Sequence, residues 1–289
     1  MDNPTVGLFV STDAGATWKH RGWTGYIRTF YTEAGSNGNI WSACGNGVFR
    51  STDNGVSWRI TTGWEVTEVL KVKVDPVKPS VVYAATAYGV FKTEDSGETW
   101  KEENTGFLKP FVSDIVVDRS NTKRLLAASE DGVYMSSNGG AQWKLTGLKG
   151  KGVRTLTQHP SNGNVFFAGT EDDGFFLTID GGRTWKQSNS GLTQLTVYSI
   201  ASDPSNGDVL YLGTHGGGVF RSSDQGKSWH QINQGLDNLV IHSVLVLPSD
   251  ASVVFAATLN GGLFKSTDRG EHWKFNSQEE GQVWGLWAR

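Results

Sequence analysis

The octapeptide SSDQGKSW, residues 222–229, decides the fold of this chain because versions of it occur seven times. Every copy begins with Ser or Thr, has Gly at its fifth position and ends with Trp, and six of the seven have Asp at the third. The copies occupy residues 11–18, 51–58, 93–100, 136–143, 178–185, 222–229 and 266–273. Successive copies start 40 to 44 residues apart, which is a period typical of repeat architectures.

The chemistry of the octapeptide indicates a tight hairpin. An Asp carboxylate accepts hydrogen bonds from the backbone of its own turn, and a Gly two positions later tolerates a positive φ. The closing Trp supplies a large ring that anchors the hairpin between sheets. In the fourth copy Asn138 stands in place of Asp, and its amide oxygen can accept part of the same set of bonds.

Short strands surround each copy. The clearest unit, residues 197–232, contains VYSIASDP, DVLYLGT, GVFRSS and then KSWHQI after the Asp of the octapeptide. Alternating and β-branched residues favour strands, and the Asp-Pro, Asn-Gly and Gly-Gly pairs between them favour turns. The sequence therefore predicts an all-β protein built from repeated four-stranded units.

The pattern S/T-x-D-x-G-x-x-W resembles the Asp-box, or BNR repeat, of sialidases, xyloglucanases, sortilin-type sorting receptors and photosystem II assembly-factor propellers. The resemblance covers nearly the whole chain. It implies a single domain, 1–289, that forms a seven-bladed β-propeller of four-stranded antiparallel blades. In this register residues 7–10 align with a third strand and residues 282–287 with a first strand. The N- and C-terminal strands are therefore expected to close the first and last blade together, which would remove a free sheet edge.

Composition narrows the classes of partner. The formal net charge is -3, so there is no overall basic field for nucleic acid or for an anionic membrane surface. The single cysteine, Cys44, excludes an internal disulfide. We expect a soluble monomer without cofactor or bound metal. The sequence leaves its location open between the cytoplasm and secretion with the signal removed.

The resemblance implies that ligands bind at one mouth of the central channel. Aligning the repeats gives two sets of residues there. The second residues of the first strands are Arg28, Leu70, Ser113, Arg154, Tyr198, His242 and Trp284. The ends of the second strands give Gly45, Ala87, Glu130, Glu171, His215 and Leu259, with Tyr88, Asp172 and Asn260 next to them.

Two groups of candidate residues follow from this alignment. The candidate catalytic residues are Arg154, Glu171, Tyr198, His215 and His242, because Arg binds carboxylates and His and Tyr transfer protons. Two carboxylates such as Glu171 and Asp172 could instead serve glycoside hydrolysis. The candidate ligand-binding residues are Arg28, Trp64, Tyr88, Glu130, Asp172, Asn260 and Trp284, and Trp23 could add a further stacking surface. Packing inside the channel is the alternative role for all of them.

The enzymes of the family fit this chain poorly. Sialidases carry an Arg-Ile-Pro signature, whereas this chain has Ile27-Arg28-Thr29 and no Arg-Ile-Pro. Xyloglucanases place their catalytic Asp pair between two propellers, and only one set of repeats is present here. We therefore expect a recognition module for a glycan or a partner protein. A polysaccharide lyase or glycoside hydrolase is the alternative.

Overall fold

The computed structural model describes residues 7–21, 27–276 and 282–288. Trp23 lies outside these ranges. All regular structure in them is β-strand, and no helix among the described residues is long and apolar enough to cross a bilayer. The chain divides into two compact units, Met1–Leu145 and Thr146–Arg289, which are described separately. A single domain over 1–289 stays a prediction.

The first unit contains one two-stranded sheet and the following four-stranded sheets. The two-stranded sheet pairs β1 (Leu8–Val10) with β2 (Lys19–Arg21). The others are β3 (Thr29–Ala34), β4 (Ile40–Cys44), β5 (Gly47–Ser51) and β6 (Arg59–Ile60); β7 (Val69–Val74), β8 (Val82–Thr86), β9 (Gly89–Thr93) and β10 (Lys101–Glu102); and β11 (Val112–Val117), β12 (Leu125–Ser129), β13 (Gly132–Ser136) and β14 (Lys144–Gly147), the last of which runs into the second unit.

The second unit contains three four-stranded sheets. They are β15 (Val153–Gln158), β16 (Phe166–Thr170), β17 (Phe175–Thr178) and β18 (Lys186–Gln187); β19 (Val197–Ser202), β20 (Leu210–Thr214), β21 (Gly218–Ser222) and β22 (His230–Gln231); and β23 (Ile241–Val246), β24 (Val254–Thr258), β25 (Leu263–Ser266) and β26 (Lys274–Phe275). Neighbouring strands are antiparallel. The predicted all-β propeller with four-stranded antiparallel blades is confirmed, with six such blades among the described residues.

The octapeptides form the hairpins between the third and fourth strands, as predicted. In the copy at 51–58, the Asp53 carboxylate accepts bonds from the Ser57 hydroxyl at 2.5 Å and the Ser57 backbone N–H at 2.9 Å. These bonds lower the pKa of Asp53 to about 2, because they stabilise its charged form. Asn138 accepts the equivalent backbone bond from Gln142 at 3.0 Å, so the fourth copy keeps part of the turn.

In three of the boxes the closing Trp joins its blade to the preceding one. In the second unit, Trp229 donates its backbone N–H to Ser190 and its ring N–H to the carbonyl of Ser188, at 2.9 and 3.0 Å. A Cβ on Gly191 would lie 2.1 Å from the Trp229 carbonyl oxygen. The close approach therefore requires glycine, which also has a φ of 87° there.

The same joint recurs along an Asn-x-Gly pattern. Trp273 donates to Gln234 and Ile232, and in the first unit Trp143 donates to Thr105 and Glu103. The Asn of this pattern also contacts the start of the third strand. In the joint of Trp229, the Asn189 side-chain oxygen accepts a hydrogen bond from the Phe175 backbone N–H at 2.9 Å. The fourth strand in such a blade has only two residues, and the Asn side chain continues its bonding to the third strand where the backbone pairing ends.

Each first strand carries a β-bulge at its second residue. The pairing with the second strand shifts between the residues on either side of it. Bulges commonly re-aim a side chain at the end of a strand. The bulged residues are Phe30, Leu70, Ser113, Arg154, Tyr198 and His242.

One register assignment is wrong. Thr29 pairs with Cys44 and the shift falls at Phe30, so Phe30 and not Arg28 is equivalent to Tyr198. Arg28 precedes the strand, and its carbonyl accepts a bond from Gly45 at 3.1 Å. Of the other six predicted positions, Leu70, Ser113, Arg154, Tyr198 and His242 agree with the bulges of the structure.

The segment 282–288 is not a strand, contrary to the prediction for 282–287. It nevertheless lies beside β23 in the expected register. Leu286 donates its backbone N–H to the Ser243 hydroxyl at 3.2 Å, and Val244 makes the equivalent bond to Ser199 at 2.9 Å. The Val283 backbone N–H donates to the carbonyl of Thr258, the last residue of β24, at 3.2 Å. Closure of one blade by both ends of the chain stays a prediction.

Candidate functional site

The bulges of β19 and β23 bring two predicted site residues together. The rings of Tyr198 and His242 lie 5.4 Å apart between centroids, tilted at 47°. β19 and β23 are neighbouring first strands that pack against each other. Equivalent positions on adjacent blades are therefore in contact, which is what the repeat alignment predicted.

His215 joins this pair from the end of β20. Its ring centroid lies 5.5 Å from that of Tyr198. Its backbone N–H bonds the Thr196 carbonyl at 3.0 Å, and the Gln194 side chain donates to the His215 carbonyl at 2.7 Å. These bonds fix the backbone of His215 while its side chain stays exposed.

Trp284 completes a row of four rings. It meets His242 edge to face, with centroids 4.6 Å apart and planes at 88°, a favoured geometry for aromatic pairs. We call Tyr198, His215, His242 and Trp284 the ring row. Tyr198, His242 and Trp284 are partly exposed, so their rings are accessible to a ligand.

The ring row keeps one histidine neutral. Burial lowers the pKa of His242, and a positive charge on His215 lowers it further. His242 is therefore a neutral imidazole at neutral pH. In that form it can accept a proton or a hydrogen bond through one ring nitrogen and donate through the other.

A pair of charges lies on the preceding blade. The Arg154 guanidinium, at the bulge of β15, forms an ion pair with Glu171. The Glu171 backbone N–H bonds the Gly152 carbonyl at 2.8 Å, which holds the turn after β16 against the approach to β15. Arg154 Nε is buried without a hydrogen-bond partner among the described residues. The ion pair is itself partly exposed.

A second ion pair, missed from the sequence, reinforces this turn. Lys151 Nζ lies 2.5 Å from the Asp173 carboxylate. Asp172, the predicted neighbour, is exposed instead. The run of three acidic residues over 171–173 was visible, but only the turn geometry decides which of the carboxylates faces Lys151.

The remaining candidate residues divide between the two units. In the second unit Asn260 accepts a bond from Gln282 at 2.9 Å, which ties the turn after β24 to the C-terminal segment. Arg28, Trp64, Tyr88 and Glu130 belong to the first unit and are exposed, Trp64 at 90%. Within the second unit the structure thus assembles the ring row and the Arg154–Glu171 pair.

Among the residues described, no three His, Cys, Asp or Glu side chains are grouped so that they could hold a metal. Two histidines and a tyrosine without carboxylate ligands are suited to ring stacking and hydrogen bonding. The arrangement can bind a flat or apolar group on the ring row and a polar group at Arg154 and Glu171.

Comparisons with known proteins agree with this fold. A family model described as photosynthesis system II assembly factor YCF48 matches residues 156–285. No curated protein matches the chain. YCF48 from Cyanidioschyzon merolae is similar at 14% identity with a TM-score of 0.68, over 89% of this chain and 87% of that one.

Two further structures extend the comparison. YCF48 bound to D1 peptide is similar at 17% identity and a TM-score of 0.66, over 86% of this chain and 81% of that chain. The GH74 xyloglucanase from Xanthomonas campestris is similar at 17% identity and a TM-score of 0.72, over 86% of this chain. The chain spans only 32 to 54% of the length of three GH74 enzymes that it matches. The chain has the β-propeller fold, with four-stranded antiparallel blades.

Proposed function

We propose that this propeller is a recognition module that binds an extended segment of a partner protein on the ring row and at Arg154 and Glu171. The observation that carries the proposal is the row of four contacting rings from His215 to Trp284, three of them partly exposed. Tyr and Trp side chains are enriched where proteins bind one another, because they bury a large area at a low entropic cost.

The extent of the matches supports a protein ligand over a glycan. The chain matches 87% and 81% of two YCF48 chains, and one of these is described as bound to D1 peptide. It matches 32 to 54% of three GH74 enzymes. The Arg154–Glu171 pair offers a donor and an acceptor side by side, which suits the alternating polar groups of a peptide backbone.

A carbohydrate-active enzyme is the second candidate, favoured by the neutral His242 beside Tyr198. A neutral imidazole can abstract a proton next to a uronate carboxylate, and Tyr198 could donate to the leaving group. Arg154 would neutralise the carboxylate. A glycan bound without turnover would use the same rings as stacking surfaces.

The seven boxes also support a seventh blade that includes β1 and β2, which we propose as part of the same fold.

Binding is tested with peptides selected from a random-sequence library on the immobilised protein. The affinity of the best peptide is then measured by fluorescence anisotropy for the wild type, Tyr198→Ala, His242→Ala and Arg154→Glu. We expect losses of about tenfold or more, since residues at the centre of an interface contribute about 2 kcal/mol or more. His230→Ala is the matched control, because His230 is an exposed histidine on the outer strand β22.

An affinity that survives the three substitutions, or that His230→Ala lowers equally, would show that the ring row is not the binding surface. A glycan array and an assay for unsaturated uronate at about 235 nm address the second candidate. Product formed by the wild type and lost in His242→Ala would replace the recognition module with an enzyme.

A further inference from the structure

The four rings of the ring row meet at steep angles. The Tyr198 ring is tilted by 58° to that of His215 and by 47° to that of His242. The Trp284 ring stands at 88° to that of His242. No two neighbouring rings in the row are parallel, so the row does not form one flat platform. It forms three notches, each bounded by two rings that are inclined to one another.

The spacing of the rings sets the size of the ligand segment. Successive ring centroids lie 5.5, 5.4 and 4.6 Å apart from His215 to Trp284. The outer rings are therefore separated by no more than about 16 Å, which about five residues of a polyproline II helix cover at about 3.1 Å a residue. A short extended segment is thus long enough to contact every ring of the row.

The polar atoms of three of the rings are available to a ligand. The Tyr198 hydroxyl and the imidazole nitrogens of His215 and His242 have no hydrogen-bond partner among the residues that the structure describes. A tyrosine hydroxyl donates one hydrogen bond, and an imidazole donates at least one whatever its charge. The row therefore suits a ligand that brings carbonyl acceptors next to compact apolar groups.

A proline-rich segment in the polyproline II conformation has this chemistry. Proline has no backbone N–H, and the polyproline II helix makes no internal hydrogen bonds, so its carbonyls take their donors from outside. The prolyl ring is compact and apolar, and it has almost no side-chain entropy to lose on binding. Grooves lined by aromatic residues bind such segments because the helix is already formed before binding.

We propose that the partner segment bound by the ring row is a proline-rich stretch in the polyproline II conformation. Its prolyl rings occupy the notches, and its carbonyls accept hydrogen bonds from Tyr198 and the two histidines. This inference rests on the proposed recognition function and adds the class of partner to it. Arg154 lies at the equivalent bulge of β15, which packs against β19. Its ion pair with Glu171 is therefore placed to contact residues that flank the prolines on the Tyr198 side.

The test is the binding of fluorescein-labelled octaproline to the intact protein, measured by fluorescence anisotropy. A glycine-serine octapeptide is the matched probe, because it has the same number of residues but no prolyl rings and no preferred conformation. We expect octaproline to bind about tenfold more tightly than this probe. Triproline is shorter than the row, so we expect it to bind more weakly than octaproline. Equal affinities for octaproline and the glycine-serine peptide would overturn the proposal.

Two variants separate the notches from the donors. Trp284→Ala removes one wall of a notch, so we expect the affinity for octaproline to fall about tenfold. Tyr198→Phe keeps the ring and removes only the hydroxyl, so we expect a loss of several-fold from one missing hydrogen bond. His230→Ala, on the outer strand β22, is the control. Unchanged binding in both ring-row variants, or an equal loss in His230→Ala, would also overturn the proposal.

The peptides selected from the random-sequence library distinguish this inference from the function on which it rests. Proline-enriched peptides that lose affinity in Tyr198→Ala would support both. Peptides that lose affinity in Tyr198→Ala but contain no more proline than the library would overturn the polyproline II ligand and leave the recognition function in place. Peptides whose affinity does not depend on the ring row would overturn both.

Discussion

At the scale of the residue, the site depends on the environment of His242. Its ring contacts Tyr198 and Trp284 and lies near a second histidine, His215. Removal from water and a like charge both disfavour the imidazolium. The chemistry available at the ring row is therefore that of a neutral imidazole, and each contributor to that state can be removed in turn.

We expect Trp284→Ala and His215→Ala each to raise the pKa of His242 toward its ordinary value. The first exposes the ring to water, and the second removes the neighbouring positive charge. Titration of the His242 ring by NMR measures the change. Ile179→Ala is the control, because Ile179 is an exposed apolar residue of a box hairpin in the same unit. A wild-type pKa at or above the usual value for histidine would refute this description of the site.

The same shift has a defined consequence for stability. Because the folded-state pKa of His242 is lowered, the unfolded chain binds this proton more readily. The contribution of neutral His242 is present above the unfolded pKa of about 6.5 and is lost as the pH falls through the lowered folded value.

At the scale of the element, the joints between blades explain the Trp of three boxes, Trp143, Trp229 and Trp273. The hairpin itself was predictable, since every bond of Asp53 is made within its own eight residues. The segment that accepts the hydrogen bonds of Trp229, residues 188–191, lies about 40 residues earlier in the chain, and its role was not predicted. The signal was present in Asn104-Thr105-Gly106, Asn189-Ser190-Gly191 and Asn233-Gln234-Gly235, but its meaning depends on contact with the next blade.

We predict that Gly191→Ala destabilises the protein more than Gly150→Ala does. Both glycines have a positive φ, 87° and 77°, so both substitutions carry the cost of about 1–2 kcal/mol of a left-handed residue. A Cβ on Gly150 meets nothing within 4 Å, whereas one on Gly191 collides with the Trp229 backbone. Urea unfolding of the two variants gives the difference in free energy. Equal losses would show that the joint can relax.

Register was the least predictable property of the elements. The misplaced Arg28 lies two residues before Phe30, and Ile27-Arg28-Thr29 shows the same alternation as the strand itself. A slip of one residue would turn every side chain to the other face, but a slip of two leaves the pattern intact. Hydrophobic alternation alone therefore could not separate Arg28 from Phe30.

At the scale of the whole molecule, the repeats predicted the site better than any local motif did. Tyr198 and His242 are 44 residues apart in the chain, and only their equivalence in successive blades places them in contact. The contact between Arg154 and Glu171 followed from the same alignment. The identity of the ligand could not follow from it, because the repeat specifies turns and joints while the bulged residues vary from blade to blade.

The central claim is that a ligand binds along the ring row, and a crystal structure of the complex with the tightest-binding selected peptide tests it most directly. The account predicts ligand atoms in contact with Tyr198, His242 and Trp284, and a polar group of the ligand bonded to Arg154 or Glu171. A peptide bound at the box hairpins, or on any surface without these residues, would contradict it.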